Sequence, residues 1–177
     1  MRLFATAALA TVLTAPALAG PDAFHPGSLI PEFGNVAAVD TTVDVPETLR
    51  LSFDTATEAE PGELHRTLTS AARFLNMHAE AGVDPANINL AVVVHGRAVR
   101  DVANADVYGA AHDGAENANE ALIAALVAQG VRIYVCGQSA AYYDVGTGDL
   151  QPGVDMALSA MTAHAMLQAE GYAINPF

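Results

Sequence analysis

Apolar and polar positions alternate from Leu49 to Asp54 (Leu-Arg-Leu-Ser-Phe-Asp), the period of a strand with one protected face. Over residues 62–82 the period becomes helical. Leu64, Leu68, Ala71, Ala72, Leu75 and Ala79 fall on one face, and Gly82 stands where a left-handed terminal residue belongs. Residues 88–95 form a continuous run, Ile-Asn-Leu-Ala-Val-Val-Val-His, ended by Gly96. That continuity predicts a strand covered on both faces, as in a parallel sheet. A second helix is predicted over 117–129, with Leu122, Ile123, Leu126 and Val127 on one face and Gly130 closing it. A strand over 131–136, a short helix over 138–143 and a short strand over 153–157 follow. Ser159 then caps a last helix over 159–170, Gly171 stops it, and 172–174 is a final strand. The alternation predicts an α/β fold: a three-layer α/β/α sandwich with a mostly parallel sheet of about five strands. Ligands in this architecture sit beyond the carboxyl ends of the strands, where His95 and Cys136 both fall.

Before the first strand the pattern breaks down. Pro21, Pro26, Gly27, Pro31, Gly34 and Pro46 interrupt any period, so residues 20–47 read as an extended arm and residues 48–177 as the domain. Residues 1–19 are different again. Met1-Arg2 is a positive start, Leu3 to Thr14 is uncharged and apolar, and Ala17-Leu18-Ala19 is a small-x-small cleavage pattern. This order predicts a signal peptide, a mature chain beginning at Gly20 and a periplasmic location. The apolar run is shorter than the roughly 20 residues a bilayer span needs, and no later run is long enough, so no membrane insertion is expected after cleavage.

Charge narrows the partners. The net charge is −13 at pH 7, with no lysine, and loss of Arg2 with the leader makes it more negative. Such a chain repels phosphate backbones and anionic lipid, so nucleic acid is not an expected partner. An apolar fraction of 52% is compatible with extra surface buried between subunits.

The chain has one cysteine. An internal disulfide is therefore impossible, and Cys136 is a buried apolar residue, an intermolecular link or a reactive thiol. It ends a strand before Gly137-Gln138-Ser139, at a strand-to-helix turn where backbone N–H groups favour a thiolate. His95 ends the central strand on the same edge. It either satisfies a local carbonyl or serves the thiol as proton acceptor or hydrogen-bond donor. Asn117 and Asn119 open the second helix and read as caps. The six histidines show no close metal-ligand spacing, and neither a nucleotide-binding glycine loop nor a Gly-x-Ser-x-Gly elbow is present. No metal and no cofactor are expected.

These residues together resemble a known family. Asn89 to Gly96, Leu122 to Gly130, Val135-Cys136-Gly137-Gln138-Ser139, Pro152-Gly153-Val154, Ser159-Ala160-Met161 and Gly171-Tyr172 match the DsrE/DsrF-like pattern in order and spacing. Phe74-Leu75-Asn76-Met77-His78 before Ala81-Gly82-Val83 fits it too, and the leader resembles the exported branch. The resemblance implies the same sandwich, assembly as trimers or hexamers, and sulfur relay through a persulfide on the cysteine after the third strand, here Cys136. It implies a sulfur donor or acceptor, small molecule or protein, as partner. Gly137, Gln138, Ser139 and Asn76 are then candidate binding residues around Cys136 and His95. A second reading remains open, in which the domain is a non-catalytic oligomeric module with a small-ligand pocket near Cys136.

Overall fold

The computed structural model describes residues 20–176; the leader predicted over 1–19 lies outside them. Five strands form one sheet: β1 (Leu49–Thr55), β2 (Ile88–Val94), β3 (Arg132–Cys136), β4 (Val154–Ala157) and β5 (Ala173–Asn175). Their order is β4-β3-β2-β1-β5, and every pairing is parallel. The continuous apolar run is the central strand β2, buried at every position except Asn89.

The two faces are covered unequally. Phe53, Leu90, Val92, Val94, Ile133 and Val135 meet α1 (Arg66–Glu80) and α3 (Glu120–Ala128) in the main core. Ala91, Val93, Tyr134 and Ala157 form a smaller cluster with Ala160, Ala163, Leu167 and Tyr172, from α5 (Ala160–Ala169) and the turn after it. The topology explains this. Connections from β1 to β4 step across the sheet in order, whereas β4 and β5 occupy opposite edges. The single helix α5 therefore crosses the second face on its way back.

Three local expectations are revised. α1 begins at Arg66 instead of at residue 62, because His65 is its cap and its Nδ1 accepts the Thr67 N–H at 3.1 Å. α3 begins at Glu120, and neither asparagine caps it through its side chain. Asn117 donates to Asp101 O and Ala103 O, and Asn119 Oδ1 accepts the His65 N–H at 2.7 Å. Both tie loops together across the upper edge of the sheet. Between β2 and α3 the structure adds a 3-10 turn over Gly96–Arg100 and α2 (Ala105–Ala111), where no helix was predicted.

One buried side chain makes most of the hydrogen bonds from the domain to the arm over residues 20–47, with Arg73 adding one to Asn35 O and Gln129 one to Leu29 O. Asn76, fully buried on α1, accepts from the Leu29 and Ile30 N–H groups and donates to Ile30 O, Phe33 O and Gly34 O. An irregular segment has backbone groups with no ladder to satisfy them, and a buried primary amide supplies both donors and an acceptor.

Candidate functional site

Cys136 ends β3 and occupies the cap position of α4 (Gly137–Tyr142). Strand alternation puts its side chain, like that of Tyr134, on the α5 face, where the residue is 6% exposed. Burial pushes the thiol up. The Ser139 hydroxyl and the backbone N–H groups of Ser139, Ala160 and Gln138 hydrogen-bond to it, outweigh burial, and hold Cys136 below the usual thiol range. The donors come from two segments far apart in the chain, the start of α4 and the start of α5.

Two glycines make this convergence possible. A Cβ on Gly137 would lie 2.8 Å from Ala157 O, so only glycine lets α4 start against the end of β4. Gly96 has φ +54°, and a Cβ there would stand 2.9 Å from Ala56 O. Its N–H donates to Ser139 Oγ at 3.0 Å, which leaves the Ser139 O–H directed at the thiol. Gln138 contributes its backbone to the sulfur and its side chain to Leu158 O at 3.3 Å.

His95 stands one strand away. Val94 is in register with Val135, so His95 and Cys136 are the next positions on adjacent strands. Among the described residues no hydrogen bond joins them. His95 Nε2 donates instead to Asp54 Oδ2 at 3.1 Å, and His164 Nε2, from α5, donates to Asp54 Oδ1 at 2.6 Å. Burial raises Asp54, but the two imidazole hydrogen bonds and their charge outweigh it, so the carboxyl sits below its ordinary value. An ionised carboxylate only accepts, which fixes both imidazoles as donors through Nε2. Among the described residues no group of three His, Cys, Asp or Glu side chains is placed to hold a metal ion.

The predicted residues thus fall into two places. Cys136, Gly137, Gln138 and Ser139 form one site with His95 beside it. Asn76 is not part of it, since all its polar atoms serve the arm. Three contributors were not anticipated: Asp54, His164 and the Ala160 N–H. Asp54 and His164 are 110 residues apart, and a backbone N–H carries no sequence signal.

Cavities of about 410 and 470 Å³ flank the loop between β1 and α1. Glu58 lines both, and Cys136 lines neither. Asp101 anchors that loop by accepting the Ala59 N–H at 3.1 Å; its carboxyl is fully buried and raised to about 7, chiefly by burial, the Ala59 bond working against it and the neighbouring Glu58 charge adding to it.

No curated protein matches the chain. Two solved structures share its fold. One is a protein of unknown function, MTH1491, from Methanobacterium thermoautotrophicum, at 20% identity and TM-score 0.54, covering 73% of this chain and 99% of that one. The other is the ychN protein from E. coli, at 14% identity and TM-score 0.53, covering 73% of this chain and all of that one. The family profile that matches residues 52–176 takes in every strand but the first three residues of β1, together with Cys136 and its donors, and by it the chain belongs to the DsrE/DsrF-like family.

Proposed function

We propose that this protein is an exported, thiol-based sulfur carrier that holds sulfane sulfur as a persulfide on Cys136. Family membership supports a role related to sulfur relay. The observation that carries the finer reading is the position of Cys136 at the end of β3 and the cap of α4, where Ser139 and the backbone N–H groups of Ser139, Ala160 and Gln138 lower the thiol against burial. Such a set stabilises a thiolate, and the thiolate is the nucleophile. In the step inferred here, the Cys136 thiolate attacks the terminal sulfur of a donor R–S–SH. A new S–S bond forms at Sγ, the donor's S–S bond breaks, and the electron pair leaves with R–S⁻. One proton converts that thiolate to R–SH, and no electrons are gained or lost overall. The binding-module reading has less support, because the cavities at the β1–α1 loop are not lined by Cys136.

Cyanolysis tests the carrier reading. After incubation with polysulfide and desalting, cyanide releases about one thiocyanate per chain from wild type and none from Cys136→Ala. Equal release from both proteins, or none from either, defeats it.

The periplasmic setting rests on the sequence of residues 1–19, and the homo-oligomer on the family resemblance. Leu158, Met161 and Tyr142 are 73%, 78% and 80% exposed around the Cys136 edge, which is consistent with a protein surface there.

A further inference from the structure

The carrier step ends with a proton on the departing sulfur, and the groups that lower the Cys136 thiol serve the sulfur that stays. The cluster of Asp54, His95 and His164 lies on the same face one and two strands away, and the donors to Cys136 do not use it. Two imidazoles share one carboxylate there, so one positive charge is balanced and a second is not. The two histidines are not equivalent. His164 is the more enclosed, with its side chain 16% exposed against 31% for His95, and its Nδ1 is buried with no hydrogen-bond partner. Protonating that nitrogen would bury a donor with no acceptor. His95 is therefore the ring left to act, since its Nδ1 is not among the buried unpartnered atoms and its backbone position is next to that of Cys136 on the adjacent strand.

We propose that Asp54 and His164 position His95 as the acid that protonates the departing thiolate when sulfane sulfur passes to Cys136. His164 pins one oxygen of Asp54, and Asp54 turns the other to His95 Nε2 and balances its charge. His95 then delivers a proton to R–S⁻, giving R–SH and a neutral imidazole that solvent recharges. Other ionisable groups near the cluster are few. β3 brings Cys136 and Tyr134; β5, beside Asp54, brings none in Ala173–Asn175. On the turn after His95, Arg97 pairs with Glu58, and Arg100 pairs with Glu58 and stacks on Tyr143. At the far end of α5, Glu170 pairs with Arg132.

The assignment rests on the carrier reading, and one experiment separates the two. Sulfur transfer from glutathione persulfide to Cys136 is followed by intact mass from about pH 5.5 to pH 8, beside alkylation by iodoacetamide. Iodide needs no proton to leave, so alkylation reports the thiolate alone. Rates are taken as the ratio of variant to wild type, which cancels the donor's own ionisation. For Asp54→Asn the transfer ratio falls to about one tenth, because His95 loses the carboxylate that orients it. His164→Gln follows the same course with a smaller fall, about threefold, and carries the test if Asp54→Asn fails to fold. Alkylation stays within about twofold throughout for both variants. A transfer ratio near one, or alkylation falling in parallel with transfer, makes the cluster structural only and overturns the proposal. A wild type that alkylates but takes up no sulfur overturns the carrier reading itself, and this assignment with it.

Discussion

At the scale of single residues, Ser139 couples the two halves of the site. Its hydroxyl takes the Gly96 N–H, next to His95, and gives its own proton to Cys136. Ser139→Ala removes one donor from the thiolate and strands an amide. The midpoint for iodoacetamide labelling of Cys136 therefore moves up by roughly one pH unit, equivalent to about 1.4 kcal/mol, in a pH series read by mass spectrometry. An unchanged midpoint would mean that the backbone donors suffice without the hydroxyl. The sequence made Cys136, His95 and Ser139 visible because each sits at or just after the end of a β-branched run. Asp54 closes an alternating run instead, and nothing local distinguishes it from any polar residue on that face of β1. Its partners come from the end of β2 and from α5, so only the closed sheet gives it a role.

At the scale of elements, short connections carry buried polar groups that periodicity does not reveal. α2 escaped the sequence reading because seven residues, Gly109 among them, are too few to establish an apolar face. It nonetheless brings in Tyr108, whose hydroxyl accepts the Gly62 N–H at 3.0 Å, and so helps Asp101 fasten the β1–α1 loop. Asp101 makes that fastening depend on pH. Its folded value of about 7 lies above the ordinary carboxyl value near 4, so the fold favours the proton. The resulting stability is complete below about pH 4 and is lost as pH rises through about 7. Asp101→Asn keeps an oxygen for the Ala59 N–H and removes the titration. Against that variant, wild type loses about 2–3 kcal/mol between pH 5 and pH 8 in urea titrations. Burial lowers His65 across the same loop, which costs stability as pH falls. His65 Nε2 lies 3.9 Å from Asp101 Oδ2, so the difference between the two proteins reports the pair. Parallel pH curves for the two would show that Asp101 is ionised throughout.

The arm is a second element whose attachment is concentrated. Asn76→Ala leaves buried amides and carbonyls of residues 29–34 unpaired and costs about 2–4 kcal/mol in the same titration. Its expected place near the thiol came from family resemblance alone. The order of its neighbours along the chain could not show that α1 carries it to the arm.

At the scale of the whole molecule, strand count, parallel pairing and the edge shared by Cys136 and His95 were legible because β2 is apolar on both faces and its neighbours follow at helix-length spacing. The strand order was not. That β5 closes beside β1, drawing α5 across the thiol face, depends on packing between segments far apart in sequence. This crossing brings the Ala160 N–H and His164 to the edge where Cys136 and His95 already stand. The expectations of export and assembly also belong to this scale. Intact mass of periplasmic material should begin at Gly20, and retention of Met1 would contradict it. Light scattering at high micromolar concentration should give a multiple of the chain mass, and a monomer mass would contradict that.

The account turns on whether Cys136 takes up sulfur as a nucleophile. Intact mass of wild type after equimolar polysulfide at neutral pH measures this directly. The predicted result is a single gain of about 32 Da, mapped to the Cys136 peptide and reversed by dithiothreitol. The reversal matters, because two oxidised methionines add the same nominal mass, and Met161 and Met77 are exposed. An unmodified mass, or a gain that persists in Cys136→Ala, would contradict the account.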